Sequence, residues 1–460
     1  DLMEIENQNN LQPNIIQSSE EKKHKLIEKL LELELGLHML VAAILLFLAI
    51  FVIAWKLNLI GYFQKNNQPQ AEKIPQVNNP VIIAEPTNPA PLFITSQKID
   101  VDKVFKQKPS KAKLTIGGKL KKEVFGYMPY WLIDNQAQVD IRLLTSVAYF
   151  GLEVDSGGNI VTSDPSGKIL DAWAVWKNNA KLDIFIKRAQ KNRTKVYLTL
   201  KSFDNINIER LVNSEEAAFN FINNALFLMN SRSLDGINID FEYIGTPDQK
   251  IIDNFSILMS TLFKEMKRQY PKSKLTIATF VDAASNTRLY DIPILAQNSD
   301  GLVIMGYDFH TPKSNQAGPV APMEGYGNSL TGLMNSYLEK APAEKLILAV
   351  PYYGYDWPVG QGGKNGIVTA GEVKIYPYAE IVEATKNTQI NWDDNAQTPW
   401  YTYYDENGQT RVVHFENDRS LAIKYDFINN KNLQGVGIWA LGFDGLRTDL
   451  LQLIADKFAN

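Results

Sequence analysis

The sequence predicts an α/β chain whose main part is a TIM (β/α)8 barrel, and three observations carry that expectation. From about Glu123 onward, apolar strand-like runs alternate with helical patterns, the mark of βα units around a parallel sheet. Eight such runs occur, the number that closes this barrel. An open doubly wound sheet is the alternative, but it calls for a glycine-rich phosphate turn after an early strand, and the sequence has none there.

In chain order the expected strands are Val124–Met128, Leu144–Leu152, Lys195–Leu200, Gly236–Tyr243, Lys274–Phe280, Gly301–Tyr307, Leu346–Tyr352 and Gly435–Ala440. Helical patterns over Ala180–Lys191, Ser214–Ser231 and Asp253–Gln269 connect some of them. The stretch between the seventh and eighth strands is too long for one helix. Within it, Trp400–Tyr404 and Thr410–Phe415 flank an Asn407-Gly408 turn and read as a hairpin. Asp418-Arg419-Ser420 then reads as the cap of a helix over Leu421–Phe427. Together these make a small α+β insertion at about 358–430 within a domain spanning 120–460.

The segment ahead of the barrel has a different character. Residues 1–36 are charged and partly helical in pattern, with a capping box from Ser18 to Glu21. Leu37–Trp55 is an apolar run whose one polar member is His38, long enough to cross a bilayer, and a transmembrane helix is expected over 37–60. Lys22, Lys23, Lys25 and Lys29 precede the run while Lys56 and Lys65 follow it, which favours a cytoplasmic N-terminus and an exported barrel. A signal peptide, with secretion after cleavage, is the rival reading; the long N-terminal region and the absence of a small-residue cleavage site after Trp55 oppose it. Residues 61–115, rich in Pro, Asn and Gln, read as an extended, poorly ordered linker.

Composition narrows the chemistry. The 460 residues carry a net charge of −4, so nothing points to nucleic acid as a partner. There is no cysteine, which excludes thiol catalysis, disulfides and Cys-based zinc sites together. The four histidines are scattered and none lies in an H-E-x-x-H pattern, so neither a metal nor any other cofactor is expected.

One stretch stands out. In Asp235-Gly236-Ile237-Asn238-Ile239-Asp240-Phe241-Glu242, side chains alternate faces along a strand. Ile237, Ile239 and Phe241 point one way; Asn238, Asp240 and Glu242 point the other. Acids inside a sheet cost several kcal/mol per unpaired charge, roughly, unless they share a proton or meet a cation. A chain carries such a cost where it does chemistry.

Asp-Gly-x-x-x-Asp-x-Glu resembles the signature of glycoside hydrolase family 18, the chitinase-like enzymes, with Asn238 where the pattern has its first inward acid. The resemblance extends from about Glu123 to the C-terminus. Met305-Gly306-Tyr307-Asp308 is similar to the family's M-x-Y-D motif, and Trp439 corresponds to the tryptophan that floors the sugar subsite at the cleavage point. Gly126-Tyr127-Met128-Pro129-Tyr130-Trp131 resembles the opening strand, with Tyr127 at the base of the site. Thr199-Leu200-Lys201-Ser202 occupies the place of S-x-G-G, keeping a hydroxyl at Thr199 and losing both glycines. Gly318–Pro322 and Pro351–Trp357 look like segments of bacterial cell-wall and spore-cortex members.

The resemblance implies a retaining glycosidase acting on β-1,4-linked glycans that carry N-acetylglucosamine, in chitin or peptidoglycan. Two carboxylates on the same side of one strand suit substrate assistance better than a nucleophile facing an acid. Glu242 would be the acid, Asp240 would orient the acetamide, and Tyr307 would donate to its oxygen. Asp308 would help hold the distorted sugar and Trp439 would stack on it, with Tyr127, Asn238, Met305 and Thr199 completing the binding set. With an amide at Asn238, Asp240 loses an acidic neighbour and is expected to ionise more readily. A membrane-anchored lectin or scaffold that binds such glycans without cutting is the alternative, and the presence of Glu242 argues against it.

Overall fold

The computed structural model describes residues 99–106 and 114–459. Eight parallel strands close a barrel: β1 Glu123–Pro129, β2 Ser146–Glu153, β3 Lys195–Ser202, β4 Gly236–Phe241, β5 Lys274–Phe280, β6 Gly301–Met305, β7 Leu346–Pro351 and, after an insertion, β13 Gly435–Trp439. β1 pairs with both β2 and β13, so no edge remains in the barrel. Every expected strand is present, with ends shifted by at most two residues. The sixth stops two residues early, at Met305, leaving Tyr307 and Asp308 in the loop beyond.

β4 shows how the barrel is built. Every residue of the strand is buried. Ile237, Ile239 and Phe241 face the outer helices, and the Phe241 ring lies 5.5 Å from Phe221 and 6.0 Å from Phe255. Those rings come from the helices Glu215–Ser231 and Gln249–Gln269. The first helix is capped by Ser214, whose hydroxyl accepts from the Ala217 N–H at 3.2 Å. At the strand's start, a Cβ on Gly236 would lie 2.3 Å from the Lys274 carbonyl oxygen of β5, so no other residue fits there.

The insertion begins at once after β7. β8 Tyr353–Pro358, β9 Lys374–Pro377, β10 Asn391–Asp393, β11 Thr398–Tyr404 and β12 Thr410–His414 form an antiparallel sheet in the order β10-β11-β12-β8-β9. The β11–β12 turn closes on Asp405, whose carboxylate accepts from the N–H groups of Asn407 and Gln409. Between β8 and β12, Asp356 and Arg411 form a buried ion pair at 2.9 Å. The helix that follows runs Asp418–Asn430. Its cap is Asn417 and not the expected Asp418, because Asn417 and Ser420 exchange side-chain to backbone hydrogen bonds in a capping box. This helix packs on β13 and the C-terminal helix, so it belongs to the barrel's outer ring and not to the inserted sheet.

The expected transmembrane run and most of the linker lie outside the described residues. Within the linker, however, Val101–Phe105 is a short helix capped by Asp100, with Val104 and Phe105 buried. Two apolar side chains spaced to meet the barrel surface suffice to dock it, so this part is not the extended tether that its composition predicts. Among the described residues no helix is long and apolar enough to cross a membrane.

Phe241→Ala removes a ring wholly enclosed between β4 and two helices. It is expected to lower unfolding free energy by about 3–5 kcal/mol, measured by chemical denaturation; a loss below about 1 kcal/mol would contradict the packing described.

Candidate active site

The inward face of β4 meets its neighbours in rows set by the strand register. Thr199 of β3, Asn238 of β4 and Thr276 of β5 lie side by side. The Thr276 hydroxyl donates to Asn238 Oδ1 at 2.9 Å, the Tyr127 phenol reaches the same oxygen at 3.5 Å, and Asn238 Nδ2 donates to the Thr199 hydroxyl at 3.3 Å. Asn238 is fully buried and holds three hydrogen bonds, through both its oxygen and its nitrogen, at the bottom of the site. An amide can serve a donor and an acceptor demand at once, which a carboxylate cannot.

One row nearer the mouth, Lys201 of β3 is the register partner of Asp240, and Glu153 of β2 is the register partner of Lys201. Asp240 and, just beyond the strand, Glu242 are 4% and 5% exposed. Asp240 Oδ1 is buried and has no hydrogen-bond partner within the protein, which leaves it open to a bound group. The strand end that presents both acids is tied down by Tyr290, whose phenol donates to the Phe241 carbonyl at 2.8 Å.

Burial dominates the protonation of the pair. It pushes Asp240 up to about 7, against the pull of the Lys201 charge. Glu242 is pushed well up by burial and then by the charges of Asp240 and Asp308, with Lys201 again opposing. The two acids are too close to ionise independently, so protons leave the pair in steps that belong to both. The amide at Asn238 spares Asp240 one charged neighbour, but desolvation outweighs that relief and Asp240 does not ionise readily. Tyr127 and Tyr307 are held as neutral phenols by burial and by these carboxylates.

Beyond β6, Asp308 takes a left-handed backbone conformation with φ 61°. Its Oδ1 accepts from the Tyr355 phenol at 2.8 Å and also from the Tyr353 phenol. Burial still pushes Asp308 up to about 6 despite both donors. Tyr353 also meets the half-buried Tyr307 edge to face, ring centres 6.2 Å apart. Met305 ends β6 beside them, partly exposed. On the opposite side, Trp439 packs edge-on against Tyr127 at 5.5 Å and Phe150 at 4.6 Å.

The fold thus gathers Tyr127, Thr199, Asn238, Asp240, Glu242, Met305, Tyr307, Asp308 and Trp439 at the C-terminal end of the strands, where such barrels do their chemistry. Sequence reasoning passed over Lys201, Phe150, Tyr353 and Tyr355. The signal for the tyrosines was their alternation, since Tyr353, Tyr355 and Trp357 share one face of a strand. The signal for Lys201 was its place two residues after Thr199, on the same face. Among the described residues no group of His, Asp and Glu is placed to hold a metal ion.

The model of glycosyl hydrolases family 18 matches residues 123–444, and the chain belongs to that family. A Bacillus subtilis (strain 168) protein, YdhD, whose name proposes a sporulation-specific glycosylase, is 26% identical over 344 residues, covering 72% of this chain and 74% of its own. The cortical fragment-lytic enzyme of Bacillus anthracis is 24% identical over 311 residues, 65% of either chain. Among solved structures, the Cycas revoluta chitinase in complex with (GlcNAc)3 superposes with a TM-score of 0.63 at 21% identity, over 73% of this chain and 99% of that one. At that identity the likeness speaks for the fold.

A carboxyl with a raised value binds its proton more tightly when folded, so the stability it contributes is whole below about pH 4 and is lost as pH rises toward 7. Asp240→Asn removes that loss. The variant is expected to melt several degrees above the parent at pH 7.5 and close to it at pH 4, by calorimetry; an equal shift at both pH values would refute the assignment of burial as the cause.

Proposed function

We propose that this chain is a retaining hydrolase of β-1,4-linked, N-acetylglucosamine-containing glycans that uses the substrate's own 2-acetamido group as nucleophile. The observation that carries this reading is the pair Asp240 and Glu242, buried side by side on one strand end with Asp240 Oδ1 unengaged. Both acids reach the same edge of a bound sugar, so neither can attack from the far side. The acetamide oxygen closes on the anomeric carbon while the raised Glu242 gives its proton to the leaving oxygen. Glu242 then takes a proton from the water that opens the oxazolinium ion. Asp240 Oδ1 accepts from the acetamide N–H and stabilises the developing positive charge. The Tyr307 phenol donates to the acetamide oxygen, and Asp308, steadied by Tyr353 and Tyr355, acts on Glu242 and on the sugar. Trp439 offers the ring face on which that sugar rests.

Peptidoglycan is favoured over chitin as the substrate by the relatives' names, one a cortical fragment-lytic enzyme and another tied to sporulation. The apolar run Leu37–Trp55 supports a membrane tether with the barrel on the outer side, a placement that fits a wall glycan. Binding without cleavage is the second reading, and the presence of Glu242, buried with its value pushed up by that burial, weighs against it.

The full chain and Glu242→Gln are to be compared on N-acetylglucosamine oligomers and on purified peptidoglycan, with mass spectrometry of the products. Cleavage by the parent is expected, with turnover lower by roughly 10²–10⁴-fold in the variant. Equal binding by both proteins with no cleavage by either would establish the lectin instead. In the same assay Asn238→Asp is expected to move the pH optimum by more than it lowers the maximal rate, since it adds an acid to the row below the pair; an unmoved optimum would remove the electrostatic account of this position.

A further inference from the structure

Lys201 is 9% exposed in the barrel mouth; burial lowers its value, and the charges of Glu153, Asp240 and Glu242 pull it back up and favour the ammonium. Its Nζ lies 4.7 Å from the ring centre of Phe203 and 5.8 Å from that of Phe150. Two ring faces partly replace the water that a buried ammonium gives up. The strand register makes Glu153, Lys201 and Asp240 neighbours across β2, β3 and β4, one row above Thr199, Asn238 and Thr276. Alternation along β3 sends Lys201 to the same side as Thr199, whose hydroxyl is bonded to Asn238. A cation therefore stands beside the acid pair in a chain that has an amide at Asn238.

We propose that Lys201 is a positioning residue for the reaction: its charge, held between Phe150 and Phe203, keeps Asp240 as the ionised member of the pair and so leaves the proton on Glu242. The inference rests on the glycosidase reading for its consequence in turnover. The physical argument is one of position. Two buried carboxyls that feel each other's charge hold one negative charge more easily than two, and a nearby cation decides where that charge sits. Lys201 is the register neighbour of Asp240, whereas Glu242 lies two residues further along and also faces Asp308. The charge consequently settles on Asp240, whose free Oδ1 is the atom that would receive the acetamide N–H.

The other ionisable groups facing the pair are Tyr127 of β1, Glu153 of β2, Tyr290 beyond β5, and Tyr307 and Asp308 beyond β6. All are acids or phenols. Arg288, which acts on Tyr290, is committed to Asp282 at 2.6 Å.

The test uses the full chain with Lys201→Met, Lys201→Gln and Lys201→Arg, and two readouts. One is the pH profile of turnover on N-acetylglucosamine oligomers. The other is the titration of the Asp240 carboxyl followed by carbon NMR and assigned with Asp240→Asn. Lys201→Met is expected to move both the profile and the titration to higher pH by about one unit or more. Lys201→Arg keeps the parent's profile, and Lys201→Gln, which removes the charge but keeps a polar head, moves both readouts in the same direction as Lys201→Met. A folded Lys201→Met with an unmoved Asp240 titration overturns the proposal. Should Lys201→Met fail to fold, an unmoved titration in Lys201→Gln overturns it equally. A parent that cuts no glycan while the titrations shift as stated leaves the charge assignment standing and brings down the glycosidase reading alone.

Discussion

Two carboxyls two residues apart, turned into the closed interior of a barrel and away from water, are the constraint that the rest of this site answers. Neither acid gains from being there; each is pushed toward its protonated form by the lost hydration. The surrounding residues can be understood as responses. Asn238 below them contributes an amide with its hydrogen bonds met on three sides, not a third charge. Lys201 beside them brings the opposite sign. Tyr290 ties the strand end that presents them, and the apolar outer face of β4 is sealed by Phe221 and Phe255 so that the backbone cannot relax outward.

The second side of the site is not made by the barrel alone. Asp308 sits in the loop after β6 and is held by phenols from β8, the first strand of the inserted sheet. Because β8 follows β7 after a single residue, the inserted sheet is fixed at the rim of the barrel, and its buried Asp356–Arg411 pair ties β8 to β12. Removing one partner of such a pair would leave an uncompensated charge, so the pair specifies the arrangement even where it adds little net stability. The inserted sheet thus serves as a support for one acid of the site.

Legibility from the sequence followed the strength of local pattern. The barrel strands were legible because each is a short apolar run bounded by polar turns, and the helix Ala180–Lys191 because its apolar positions recur at helical spacing. β8 was not, since Tyr-Gly-Tyr-Asp-Trp-Pro carries no apolar run even though every residue of the strand is buried. β9 and β10 have four and three residues, too few to show any period. The helix Val101–Phe105 was hidden for another reason: its surroundings are proline- and amide-rich, and what orders it is contact with the folded barrel.

The sequence by itself determined the strand count, the alternation that puts Asn238, Asp240 and Glu242 on one face, and the residue types that make the family resemblance specific. Those features are local, set by neighbours along the chain, so a single strand's pattern contains them. Only the tertiary structure decided which groups face one another across strands: Lys201 beside Asp240, Thr276 and Thr199 around Asn238, and Tyr353 and Tyr355 on Asp308. Register and closure of the barrel bring together residues tens of positions apart. The protonation of the pair depends on that burial and on those neighbours, and no stretch of sequence holds either.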